Sequence, residues 1–301
     1  LWSRLNRAAA ALPEPPATPG LVVDLDAFDA NAADLVRRAG GTPVRLASKS
    51  VRVPALLRRA LAVEGFAGIL GFTLREALWL EEQGISDDIV VAYPTVDRAA
   101  LARLVASPRA AAAITLMADE VAHLDLVDSV RSSHAVPVRI ALEVDAGLSV
   151  AGRHVGPKRS PLHDAEQVAA LARAVQARPG FRLVGVMTYE GQVAGVPDDV
   201  PGHRARSLAV RGLKSASAGQ LGQRRRGVDQ QQRAQTREPT VILPKLQGAQ
   251  AMLLEIASAG FADAHAPFGF VGQQGCDRVG HHGPGRKYQR LGQRRPGSRV
   301  A

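Results

Sequence analysis

The segment VRLASKSVR, residues 44–52, sets Lys49 at the end of a short apolar run. A primary amine condenses with a carbonyl carbon to give a Schiff base, and partial desolvation lowers its pKa enough to make it nucleophilic near neutral pH. The plain alternative is a solvated loop lysine in a basic stretch with Arg45 and Arg52. Two tyrosines end apolar runs in a similar way: Tyr189 in MTYEGQ, with Glu190 and Gln192 beside it, and Tyr93 in VVAYP. Each offers an aromatic face; each also reads as a rim residue that fills space, Tyr93 more readily. Asp145 and Gly147 follow a further apolar run, and Lys158 and Arg159 follow them in KRSP. An arginine there can hold an anionic oxygen through paired hydrogen bonds, or simply lie on the surface beside Lys158. His123, in DEVAHLDLVD, reads as a half-buried structural histidine of a helix. His281 and His282 near Cys276 have metal-ligand chemistry, but the Gly-rich GCDRVGHHG lacks the rigid frame that ligands need, so no metal site is expected.

The elements that must position these residues alternate regularly over residues 1–214. Apolar runs predict strands at 21–24, 44–48, 66–70, 89–93, 113–117, 138–144 and 182–187. Amphipathic stretches between them predict helices at 26–39, 53–63, 74–84, 97–105, 119–130 and 164–177. Asp26, Thr73 and Asp97 read as N-caps, and Gly40-Gly41 and Gly84 as stops. Strand and helix alternating at about 25 residues per unit imply parallel strands with crossover helices. IVVAY and AAITLM are apolar on both faces, as a sheet covered on both sides requires. The first strand is not followed by GxGxxG, so a dinucleotide-binding sheet has no support, and the regular unit favours a (β/α)8 barrel. Such a barrel works at the C-terminal ends of its strands, where Lys49, Tyr93 and Tyr189 all fall.

The 301 residues suffice for one large domain or two ordinary ones, and 46% apolar content excludes a wholly disordered chain. A single Cys excludes a disulfide framework. No apolar run reaches the roughly 18 residues of a membrane span. Residues 8–12 are too short an apolar core for a secretory signal, and Glu14 with three prolines adjoins them. A soluble, cytoplasmic protein is expected, and the initial Leu suggests a fragment. The net charge of +10 is uneven. Residues 1–214 hold 25 Lys and Arg against 23 Asp and Glu, whereas residues 215–301 hold 13 against 5. Gln rises from four residues in the first part to twelve in the second. This Arg/Gln/Gly composition lacks the periodic mix of Lys, Arg and aromatics that a nucleic-acid face presents, so no nucleic-acid partner is expected. The expected divisions are an extension at 1–17, a barrel portion at 18–214 and an irregular tail at 215–301. Two readings of the tail stay open: a natural flexible segment, and out-of-frame translation after a frame change near residues 203–220.

TPGLVVDLDAFDANAADLVRRAG before the Lys49 strand resembles the opening of the alanine racemase N-terminal-domain superfamily. ASKSVR, GFTLREALWLEEQGISDDIVVAYPTVD, RSPLHDAEQ and GVMTYEGQVAG, in that order, resemble its bacterial amino-acid deaminase/aldolase group, related to D-threonine aldolase and D-serine dehydratase. The resemblance covers residues 18–214 and implies a pyridoxal-phosphate enzyme on a (β/α)8 barrel. Lys49 would be the Schiff-base lysine. Arg159, with Lys158 as rival, would be the arginine of a D-x-G…R pattern that faces the cofactor. Tyr189 would lie against the pyridine ring. The implied activity is lyase or aldolase chemistry at the α-carbon of a small, D-configured hydroxy amino acid, with racemisation as a variant. The resemblance also allows a homodimer.

The sequence departs from that pattern in three ways. The strand at 21–24 pairs outside the barrel in this superfamily, which leaves about six barrel strands. No Gly/Ser/Thr-rich phosphate cradle follows residue 214; SASAG at 215–219 comes too early and follows no strand. The metal-binding His-x-Cys pair of the related aldolases has no match in GCDRVGHHG. An inactive chain and a non-catalytic pyridoxal-phosphate homeostasis protein are therefore the alternatives to an active lyase.

Overall fold

The computed structural model describes residues 2–14, 22–132, 136–150, 152–194 and 196–235. Its elements, in order, are α1 (Trp2–Ala10), α2 (Leu25–Ala39), β1 (Val44–Ala47), a 3-10 turn (Ser48–Ser50), α3 (Pro54–Leu61), β2 (Phe66–Gly71), α4 (Leu74–Glu82), β3 (Ile89–Val91), α5 (Arg98–Ala106) and α6 (Pro108–Ala113). There follow β4 (Ile114–Ala118), α7 (Val121–Asp128), β5 (Val138–Val144), β6 (Leu148–Val150), β7 (Arg153–Val155), α8 (Ala165–Gln176), β8 (Phe181–Thr188), α9 (Gly191–Ala194) and α10 (Arg204–Gln235).

Six strands form one parallel sheet in the order β1-β2-β3-β4-β5-β8, and β6 pairs with β7 as a separate antiparallel hairpin. Each neighbour in the sheet is reached through a helical crossover. This is the α/β architecture of a (β/α)8 barrel with six strands in place among the described residues and β1 and β8 at the edges. All three residues of β3 and all five of β4 are buried, so both faces of the sheet's centre are covered. Ile69, Ile89, Ile114 and Ile140 run through this centre, and Leu57, Leu78, Leu101, Leu104 and Leu124 come from the helices.

The helix starts are fixed by side-chain caps. Thr73 accepts from the Glu76 N–H at 3.2 Å while the Glu76 carboxylate accepts from the Phe72 N–H at 2.8 Å, which closes the first turn of α4 directly after β2. Asp97 caps α5, Ser107 caps α6, and Asp164 and Gln167 form a capping box on α8. Gly40 ends α2 at φ 56°, where a Cβ would be strained.

Several expectations need correction. Residues 22–24 are not a strand. Val22 and Val23 are exposed, and the Asp24 carboxylate accepts from the Ala27 N–H, so Asp24 and not Asp26 caps α2. The expected strand at 89–93 stops at Val91, which leaves Tyr93 on the loop. The loop after β5 holds the β6–β7 hairpin, and the strand expected at 113–117 begins at Ile114, Ala113 ending the unforeseen helix α6. The division at 214 falls inside α10, which continues to Gln235. The inward face of α10 carries Ser207, Ser217 and Leu221, with Ser217 fully buried, and α10 packs on α8 and α9. Gln220 exchanges two hydrogen bonds with the Ser149 main chain on β6. Small polar residues make that face, so no apolar stripe announced it. SASAG lies within this helix. No described helix is long and apolar enough to cross a membrane.

Candidate functional site

The C-terminal ends of the parallel strands converge on a cavity of about 130 Å³. Ala47 and the 3-10 turn bring Lys49 and Ser50 to it from β1. Leu70, Gly71 and Phe72 arrive from β2, Ala92 and Tyr93 from β3, and Met187 and Tyr189 from β8; Arg159 enters from the segment after β7. The turn that carries Lys49 is tied down by the Ser48 hydroxyl, which donates to the Leu70 carbonyl at 3.3 Å. The Lys49 amine stands 5.9 Å from the centroid of the Phe72 ring, and that ring meets Tyr93 edge-on at 5.6 Å.

Arg159 is the most constrained side chain of the site. Its Nε donates to Glu143 Oε1, and its Nη2 donates to the Ala92 carbonyl at 2.7 Å. The guanidinium carbon lies 4.3 Å from the Tyr93 ring centroid and 5.4 Å from that of Tyr189. Burial pushes the Glu143 carboxyl above its ordinary value, against the opposing hydrogen bond and charge of Arg159. Burial alone would lower the Arg159 guanidinium, but Glu143 and the Tyr93 phenol outweigh it and raise it.

The D-x-G…R segment is one hydrogen-bonded unit. Asp145 Oδ1 accepts from the Gly147 N–H at 2.8 Å, and Oδ2 accepts from the Arg159 N–H at 3.2 Å. A buried carboxylate thus fixes where the chain re-enters the mouth and aims Arg159 inward. Gly147 packs flat on His154, whose Cε1 would lie 2.0 Å from any added Cβ.

Lys49, Arg159, Tyr189 and Tyr93, four residues singled out in the sequence, therefore line one cavity. Lys158 is exposed and does not line it. Glu190 and Gln192 are buried beside the mouth and outside the lining; Gln192 Nε2 donates to the Ala146 carbonyl at 2.5 Å. His123 is mostly buried and pairs with Asp119 at 3.1 Å, whose hydrogen bond raises its pKa against burial. Cys276, His281 and His282 lie outside the described residues, among which no group of His, Cys, Asp or Glu is arranged to hold a metal. The sequence reading missed Phe72, Met187 and Glu143. An acidic residue inside the apolar run VRIALEV was the signal for Glu143.

The chemistry of the lining is specific. It offers one primary amine, one guanidinium and three aromatic rings, and no carboxylate is among its lining residues. Such a cavity suits a planar, anionic, carbonyl-bearing molecule.

Residues 23–236 match the family described as alanine racemase, N-terminal domain. A 3-hydroxy-D-aspartate aldolase from Paracoccus denitrificans is 26% identical over 182 residues, 59% of this chain and 44% of that protein. Among solved structures, D-threonine aldolase from Filomicrobium marinum superposes with a TM-score of 0.51 at 23% identity, over 68% of this chain and 53% of that one. D-threo-3-hydroxyaspartate dehydratase from Delftia sp. HT23 gives a TM-score of 0.47 at 22% identity, over 69% and 53%. The chain thus spans less than half the length of the curated relative it matches.

Proposed function

This chain belongs to the alanine racemase N-terminal-domain family, and we propose that it is the cofactor-binding barrel of a pyridoxal-phosphate lyase acting at the α-carbon of a small D-configured hydroxy amino acid. The observation that carries this reading is the cavity at the strand ends, where Lys49, Arg159, Tyr93 and Tyr189 meet with no carboxylate in the lining. The donor set fits the ring end of pyridoxal phosphate: an amine for the aldehyde carbon, aromatic faces for the pyridine plane and a guanidinium for an anionic oxygen. The sequence after residue 235, where the family's phosphate-binding segment would be sought, lies outside the described residues. The 3-hydroxy-D-aspartate aldolase relative supports the substrate class.

When bound, the cofactor supplies an electron sink that stabilises negative charge at the substrate α-carbon. The protein's own contribution is placement. Lys49 Nζ would hold the aldehyde carbon at the mouth. Tyr189 and Tyr93 would offer faces to the ring, and Arg159 would bind an anionic oxygen of cofactor or substrate. Phe72 and Met187 shield the cavity from bulk water, which strengthens each of these interactions. The Lys49 amine is the lining group with the chemistry to take the proton of a β-hydroxyl.

The test is turnover. Purified protein saturated with pyridoxal phosphate is given D-threonine and D-3-hydroxyaspartate, and aldehyde, ammonia and enantiomer formation are followed. Aldehyde or ammonia from the D-isomers and not from the L-isomers is the expected result. A chain that holds the cofactor and releases neither is a binding protein and not a lyase, and formation of the opposite enantiomer alone would make it a racemase.

A further inference from the structure

Strand β5 carries one carboxylate in its buried interior. Glu143 is 1% exposed, between Leu142 and Val144, and sits across the β5–β8 ladder from Met187, which lines the cavity. One of its oxygens accepts from Arg159 Nε, and the other, Oε2, is buried with no hydrogen-bond partner among the described residues. Asp119 and Asp145 add negative charge from nearby. A leucine would fill this position without any of these costs, because a buried carboxylate is expensive unless its pairing does something. Arg159 has a long side chain on an irregular segment whose main chain is anchored beside β5, where the Ser160 hydroxyl donates to the Glu143 carbonyl at 2.7 Å. Its main chain is held by Asp145, and its tip reaches the Ala92 carbonyl. Among the described residues, Glu143 is the charged group that fastens the guanidinium by its base, at Nε, and so fixes the direction in which the remaining nitrogens face.

We infer that Glu143 is a positioning residue that holds the Arg159 guanidinium against Tyr93 and Tyr189 and thereby sets the positive charge of the cavity. It is not itself a lining residue, and it acts through Arg159, which is. The use of that charge, to receive an anionic cofactor, rests on the proposed function; the positioning itself does not.

Two readouts separate the two claims. The first is the Arg159 Nε–H resonance of the cofactor-free protein in ¹⁵N NMR, assigned by its loss in Arg159→Lys. In the wild type this proton should exchange at least about tenfold more slowly than those of exposed arginines, because a buried ion pair shields it. Glu143→Gln should remove most of that protection, and Glu143→Asp should restore part of it. An Arg159 Nε–H that exchanges as fast as surface arginines in the wild type overturns the inference whether or not the variants fold, as does protection that survives in Glu143→Gln. The second readout is pyridoxal-phosphate affinity in a double-mutant cycle of Glu143→Gln and Arg159→Ala. Loss of one charge-assisted hydrogen bond predicts binding about tenfold weaker for Glu143→Gln. The double variant should bind no more weakly than Arg159→Ala, since a residue that acts only through another adds nothing once that other is gone. Additive losses overturn the positioning role. A wild type that takes up no cofactor defeats the proposed function, while the exchange readout still decides the role of Glu143.

Discussion

Removing Arg159 should destabilise the protein by an amount that depends on pH in a predictable direction. In the wild type the Arg159 side chain is 14% exposed and Glu143 1%, so the pair is screened little by solvent. Arg159→Ala leaves Glu143 buried without its cation and deletes the donors to Glu143 and Ala92. With the carboxylate ionised, breaking such a pair costs about 3–5 kcal/mol. Burial already raises the Glu143 carboxyl, and loss of Arg159 removes the main opposing influence, so the variant's carboxyl rises further. A group whose folded pKa lies above its unfolded value contributes stability below the unfolded value and loses it as pH rises through the folded one. At acid pH the variant's Glu143 is therefore protonated at little cost, and only the missing hydrogen bonds remain, about 1–3 kcal/mol. Urea unfolding of wild type and variant at about pH 5 and about pH 8 should show the difference between them widen by about 2 kcal/mol at the higher pH. An equal cost at both values would refute a buried, charge-paired Glu143.

Three further outcomes follow from local geometry. Thr73→Ala removes the cap of α4 and should cost about 1 kcal/mol in the same urea assay. His123 is raised by its hydrogen bond to Asp119, so its stabilising contribution is present below the ordinary histidine value and fades as pH rises through the raised one; thermal melts of wild type and His123→Gln should converge toward alkaline pH. Gly147→Ala drives a Cβ into His154 and should cost about 1–3 kcal/mol, with partial recovery in the double variant that also carries His154→Ala, as read by urea midpoints.

The sequence made much of this arrangement legible, because the determinants were local. Predominantly apolar runs marked β3, β4 and β5, and the caps Thr73 and Asp97 marked helix starts. Lys49, Tyr93 and Tyr189 were placed together by one rule, that parallel strands present their C-terminal ends to a common mouth. The misses were non-local. Asp24 reads as the end of a strand until its carboxylate is seen on the Ala27 N–H. The β6–β7 hairpin is too short for a periodic signal, and α10 hides its buried face in Ser207 and Ser217. Glu143 is a charge within a largely apolar strand, a signal the sequence reading passed over, and only the fold shows that its partner is Arg159, sixteen residues on. Asp145 and Gly147 entered through a pattern, and the structure supplies the reason: one carboxylate receives the N–H of both Gly147 and Arg159.

The central claim is that Lys49 receives the cofactor's aldehyde in the cavity at the strand ends. Its most direct test is covalent capture: pyridoxal phosphate is added to the purified protein, the product is reduced with borohydride, and the tryptic peptides are weighed. The account predicts the reduced cofactor on the peptide bearing Lys49 at about one per chain, and none in Lys49→Ala. Label spread over surface lysines, or undiminished label in Lys49→Ala, would contradict it.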